Sequence, residues 1–181
     1  FAARSYVLDL QVECYRQALK SDPQNSRVWC SLGVEGGADV GGKHYSAVEC
    51  YQQVLRLDPQ NSHAWHNLGV EGGGDVEGKH YTEAECYELV LRLDPQYNDA
   101  WYNLGVEGGG DVWSKHYTAV ECYQQTLRLN PNHSKAWCNL GVEGGGDVEG
   151  KHYTEVECYG QALRSDPQNS HAYQQTLRLI P

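Results

Sequence analysis

The chain has 181 residues, 40% of them hydrophobic, and a formal net charge of −10. Length and apolar content are those of one folded domain with a real core, and the acidic balance disfavours nucleic acid and anionic membranes, which need clustered Lys and Arg. No apolar run approaches the about 20 residues of a membrane-spanning helix.

The sequence opens on Phe1, contains no methionine and shows no targeting segment. A start removed by processing, or a segment of a longer protein, is the expectation. Phe1 to Leu10 is apolar enough to dock on a neighbour. Gln11 to Pro23 then matches only the second half of a unit that recurs along the rest of the chain.

That unit repeats every 36 residues. Trp29, Trp65, Trp101 and Trp137 keep this step, as do Cys14, Cys50, Cys86, Cys122 and Cys158, and Pro23, Pro59, Pro95, Pro131 and Pro167. A fixed period of this length means stacked structural units. The expected layout is a single domain, 1–181: a partial repeat 1–24, repeats 25–60, 61–96, 97–132 and 133–168, and a partial or capping helix 169–181.

Each unit carries two helical signatures. In the second, Asn61 or Ser62 caps a first helix bearing Ala64, Trp65, Leu68 and Gly69. It must stop at Gly72-Gly73-Gly74, since each glycine costs about 1 kcal/mol against alanine. A second helix starts at Thr82, where Thr82 and Glu85 have the capping-box spacing, repeated as Ser46/Glu49, Thr118/Glu121 and Thr154/Glu157. Ala84, Tyr87, Val90 and Leu91 then form an apolar stripe at three- and four-residue steps. Asp94, preceding Pro95, is pushed out of helical geometry. The expectation is a helix pair joined by a glycine-rich loop. One such pair cannot hide its stripe, so pairs stack.

Trp65-x-x-Leu68-Gly69, the aromatic Tyr87 and Leu93-Asp94-Pro95 resemble the tetratricopeptide repeat signature, and the pattern returns at Trp29/Leu32/Gly33, Trp101/Leu104/Gly105 and Trp137/Leu140/Gly141. The period exceeds that family's about 34 residues, and the extra length between the helices resembles the related Sel1-like repeat. The resemblance implies an all-α, right-handed α-solenoid of antiparallel helix pairs, with a concave face used for protein binding and no catalysis. Some members of the family hold a C-terminal carboxylate with Lys and Asn. Asn67, Asn103 and Asn139 are present here, but His66, Tyr102 and Cys138 stand where the neighbouring lysines are expected, which argues against such a clamp.

Several motifs invite chemistry. Gly73-x4-Gly78-Lys79 is similar to a phosphate loop, but His80 follows the lysine where Ser or Thr is needed. The string also recurs at Gly37/Gly42/Lys43 and Gly145/Gly150/Lys151, so a helix connector is the preferred reading. His44/Cys50, His80/Cys86, His116/Cys122 and His152/Cys158 would lie about one helix-packing distance, roughly 10 Å, apart from repeat to repeat. That is too far for one zinc ion or for a disulfide, so buried Cys and a loop-anchoring His are expected. Asp39, Asp75, Asp111 and Asp147 read as turn residues rather than calcium ligands. Asn132-His133-Ser134 fits a glycosylation sequon. With seven cysteines at least one is unpaired within the chain, which leans towards a reducing compartment.

The residues that differ between repeats are the candidates for partner binding. Arg27, His63, Asp99 and Lys135 form one row, and Cys30, His66, Tyr102 and Cys138 form another three residues on, on the same helix face. Tyr102 and His66 are the preferred anchors. Trp113 replaces a residue that is Glu or Gly in the other repeats. Folding back onto its own repeat is the preferred reading, and an exposed anchor the alternative.

In the last segment Ala172, Tyr173, Thr176, Leu177 and Ile180 are placed to cover an open stripe. The expected function is a protein-interaction scaffold, adaptor or accessory subunit, with no cofactor, metal or active site. The alternative is a self-associating protein that stacks head to tail. A nucleotide hydrolase using Lys43, Lys79 and Lys151 is the enzymatic rival.

Overall fold

The amphipathic pattern is realised as paired helices. The computed structural model describes the backbone of residues 2–179 and the side chains of residues 10–179, and the chain divides after Leu93 into two compact units. Of the stretch expected to dock, Phe1 to Leu10, only the Leu10 side chain is described, and it is half-exposed; Ile180 lies outside the described residues.

The first unit holds α1 (Ala2–Ser21), α2 (Ser26–Val34), β1 (Gly37–Val40), β2 (Lys43–Ser46), α3 (Ala47–Leu57), α4 (Ser62–Val70), β3 (Gly74–Val76), β4 (Lys79–Tyr81) and α5 (Glu83–Leu93). The second holds α6 (Asn98–Val106), β5 (Gly109–Val112), β6 (Lys115–Thr118), α7 (Ala119–Leu129), α8 (Ser134–Val142), β7 (Gly145–Val148), β8 (Lys151–Thr154), α9 (Glu155–Ser165) and α10 (Ser170–Arg178). Within each unit, first helices pack on their own second helices and on the second helix before them. The fold class is an all-α solenoid of antiparallel pairs.

The helix ends follow from local chemistry. Asn61 accepts from the Ala64 amide at 3.0 Å. Ser46, Thr82, Thr118 and Thr154 each complete the capping box with the glutamate three residues on, which satisfies two orphan backbone donors at each second helix. Leu32, Leu68, Leu104 and Leu140 are fully buried, each contributing about 1.5–3 kcal/mol of apolar transfer. Each tryptophan also fastens the turn before it: Trp65 Nε1 donates to the Pro59 carbonyl at 2.9 Å, and Trp29, Trp101 and Trp137 do the same to Pro23, Pro95 and Pro131.

The segment between paired helices is not the expected loop. It is a two-stranded antiparallel hairpin in every repeat, with Asp75 opposite His80 and Val76 opposite Lys79. Alternation explains it: Val76 points into the core while Asp75 and His80 face water. The two-residue connection at Glu77 and Gly78 takes φ of 48° and 83°, the twist that fits a hairpin. The terminal helix is also a partial correction. Ala172 is buried, but Tyr173 and Leu177 are 56% and 62% exposed.

Candidate functional site

Each hairpin is bolted to both helices of its repeat. Tyr81 of β4 packs on Trp65 of α4 with ring centroids 4.8 Å apart. Lys79 Nζ sits over the Tyr81 ring, 4.2 Å from its centroid, and 3.7 Å from Glu85. The same stack is built from Trp29, Tyr45, Lys43 and Glu49 and from Trp101, Tyr117, Lys115 and Glu121. Trp137, Tyr153 and Lys151 repeat its aromatic part. The lysines of the phosphate-loop-like strings are thus engaged inside their own repeats. Gly78 and Lys79 lie in a hairpin, not between a strand and a helix as a phosphate loop requires.

The histidines anchor the hairpins as expected. His44, His80, His116 and His152 place Nδ1 2.9 Å from Asp39, Asp75, Asp111 and Asp147 respectively. Among the described residues no three His, Cys, Asp or Glu side chains converge on a point where a metal could sit. Cys50, Cys86, Cys122 and Cys158 are buried, and burial pushes each thiol up to about 12. Cys14, the first of that row, is exposed.

The variable rows of the first helices line two recesses, one in each unit. In the first unit Arg27 and Cys30 of α2 face Asn61 and His63 of the next repeat across a cavity of about 400 Å³. In the second, Lys135, Cys138 and Asn139 of α8 face Asn169 and His171 across about 390 Å³, with Tyr102 and Asp166 on the rim. Hydrogen bonds link residues that line the second recess to their neighbours. Asn139 Nδ2 donates to the hydroxyls of Tyr102 and Tyr123 at 3.4 Å each. Asn169 donates to Ser134 Oγ at 2.8 Å, which in turn donates to the Ala162 carbonyl at 2.8 Å. Burial raises the Tyr102 hydroxyl above its usual range, partly offset by the Asn139 bond.

The remaining candidates fall elsewhere. Asp99 is exposed on α6, and His66 is half-buried against Tyr87, 5.9 Å between rings. Cys138 is 1% exposed, so it serves the packing of α8 as well as the recess wall. Trp113 departs from its preferred reading. It is 52% exposed at the tip of the β5–β6 hairpin, where the two-residue turn carries it away from its own repeat, and it holds a left-handed φ of 56°.

A family model described as the protein prenyltransferase alpha subunit repeat matches residues 44–70, from β2 through α3 and α4. Comparison with curated proteins gives no match. Two solved structures of MamA are similar, each with a TM-score of 0.57 and 21% identity, over 97% and 99% of this chain and 92% of theirs. The fold is a tetratricopeptide-like repeat. At this identity the likeness is one of fold.

In this tetratricopeptide-like chain the sequence rows captured Arg27, Cys30 and His63 of the first recess and Tyr102, Lys135 and Cys138 of the second. Asn169 and His171 were missed, Asn61 was read only as a helix cap, and Asn139 was weighed only for a carboxylate clamp. A signal existed for most of them: the row Arg27, His63, Asp99, Lys135 continues by one more period to His171, and the capping asparagines Asn25, Asn61 and Asn169 precede Arg27, His63 and His171 by two residues.

Proposed function

We propose that the chain is a protein-interaction scaffold, an adaptor or accessory subunit that takes extended segments of partner proteins into the recesses between successive first helices. The observation that carries this is the shared construction of the two recesses. Three repeats apart, Arg27 with Cys30 and Lys135 with Cys138 face Asn61 with His63 and Asn169 with His171. Framework residues repeat because every unit packs alike, whereas this set recurs only at these two places. A cation, amides and an imidazole around a concave opening suit the polar backbone of a bound segment.

The test is affinity capture from the native source with wild type and an Arg27→Glu/Lys135→Glu variant, both changes being at exposed positions. Proteins held in stoichiometric amount by wild type and lost by the variant support the reading. An unchanged set of captured proteins refutes it.

Self-association is the second reading, favoured by the exposed Tyr173 and Leu177 of α10. Mass that grows with concentration in analytical ultracentrifugation, and does not in a Tyr173→Ser/Leu177→Ser variant, is its signature.

A further inference from the structure

The helix that supplies most of one wall of the second recess is capped by a group that titrates. At the start of α8, His133 accepts a hydrogen bond from the Ala136 amide on Nδ1, 3.1 Å away. Asn25, Asn61 and Asn169 hold the equivalent positions before α2, α4 and α10 and accept through an amide oxygen, which keeps its lone pairs at any pH. An imidazole accepts only on a bare nitrogen, so this cap specifies the neutral ring with its proton on Nε2. A protonated ring donates from both nitrogens. The Ala136 amide then loses its acceptor and meets a second N–H instead.

The ring is also wired to the recess. It lies 4.8 Å from the Tyr102 ring, centroid to centroid, and Tyr102 is tied in turn to Asn139. The charged and titratable groups facing His133 are Asp99 and Tyr102 on α6 and Lys135 on α8. Asp166 and His171 line the same recess from the α9–α10 side. We propose that His133 is a proton-operated clasp on this recess: protonation releases the first turn of α8, loosens the wall that carries Lys135, Cys138 and Asn139, and opens the site in mildly acidic conditions.

Burial holds His133 below the usual histidine range, with Lys135 acting in the same direction and Asp99 against it. The folded chain therefore binds this proton less readily than the unfolded chain does. The stability tied to His133 is present above the unfolded value of about 6.5 and is lost as pH falls through the lower folded value. Asp99 offers the protonated ring an alternative partner, which favours its turning away from the Ala136 amide.

The proposal rests on the recess reading only for its consequence in binding, because the clasp is tested on the free protein. Amide hydrogen exchange of the full chain, corrected for intrinsic rates, is followed by NMR from about pH 7.5 to pH 5, across ordinary histidine titration. The Ala136 amide should lose about fivefold in protection relative to the Asn61-capped Ala64 amide, the size of one lost N-cap. In His133→Asn, which installs the cap used before α2, α4 and α10, the two amides should move together. In His133→Ala the Ala136 amide should be poorly protected throughout. Wild-type Ala136 tracking Ala64 over the whole range, or the same acid loss persisting in His133→Asn, overturns the clasp. If the clasp behaves as expected while partner capture is insensitive to the Lys135 change, the switch stands and the recess reading fails.

Discussion

Tyr123 lies across the backbone of Gly105, its hydroxyl donating to the Gly105 carbonyl at 2.9 Å and its Cε1 2.6 Å from where a side-chain carbon on that glycine would stand. The same closeness recurs between Gly33 and Tyr51, Gly69 and Tyr87, and Gly141 and Tyr159. The Leu-Gly of the repeat signature is thus a seat for the aromatic of the second helix, and it sets how closely the paired helices approach. Gly105→Ala should destabilise the second unit by about 1–3 kcal/mol through overpacking, despite alanine's better helix propensity. Urea unfolding checks it, and a neutral or stabilising result would show that the Tyr123 ring moves aside freely.

The capping glutamates should set part of the acid limb of stability. Glu49, Glu85, Glu121 and Glu157 have carboxyls held below their usual range, first by the backbone N–H of the capping Ser or Thr and, for Glu49 and Glu121, next by Lys43 and Lys115. The folded chain binds these protons less readily than the unfolded one. Their contribution is therefore present above the ordinary glutamate value of about 4.3 and is lost as pH falls through the lower folded values. Replacing all four by Gln keeps an acceptor at each capping box and removes the titration. The urea midpoint of this variant should fall less steeply than that of wild type in the acid range. Parallel curves would place the acid sensitivity elsewhere.

How much of this was legible in the sequence depended on how many residues each feature spreads over. Trp65, Leu68, Gly69 and Tyr87 declare a helix pair because they recur every 36 residues and each helix offers two to three turns of pattern. The capping boxes were equally plain, being a fixed four-residue spacing. The hairpins were hidden because β3 and β4 are three residues each, too short for alternation to show, and because Gly72-Gly73-Gly74 looks like a breaker. Only the pair Glu77-Gly78, two residues between Val76 and Lys79, carried the turn signal. The recesses were half legible: positions that vary between repeats mark Arg27, Cys30 and His63 in the first and Tyr102, Lys135 and Cys138 in the second, but Asn61 and Asn169 are helix caps, which look like framework. His133 was invisible as a clasp because its role depends on where Nδ1 points.

Trp113 at the third hairpin tip should cost stability rather than supply it. A bulky residue in the left-handed region bears about 1–2 kcal/mol of strain, and with half its surface in water it recovers little by burial. Trp113→Gly should therefore raise stability by about 1 kcal/mol, whereas Trp113→Ala, which keeps a side chain at φ 56°, should not. A thermal melt of the three proteins decides it. If Trp113→Gly also weakens partner capture, the strain is retained for binding. If Trp113→Gly is the less stable protein, the indole has packing that compensates for its backbone.

Thiol reactivity should separate the cysteines in the order of their surroundings. The thiolate is the nucleophile, and desolvation inside the helix pairs pushes the Cys50, Cys86, Cys122 and Cys158 thiols up to about 12. Burial also raises Cys30 and Cys138, while Cys14 is exposed. With an alkylating reagent at mildly alkaline pH, Cys14 should react first and Cys30 next, with Cys138 and the four core thiols silent until unfolding. In denaturant all seven should react together. Peptide mapping of time points gives the order directly. Early modification of Cys122, whose Cβ lies 3.1 Å from where a side-chain carbon on Gly105 would stand, would mean that the α6–α7 pair opens far more often than its packing allows.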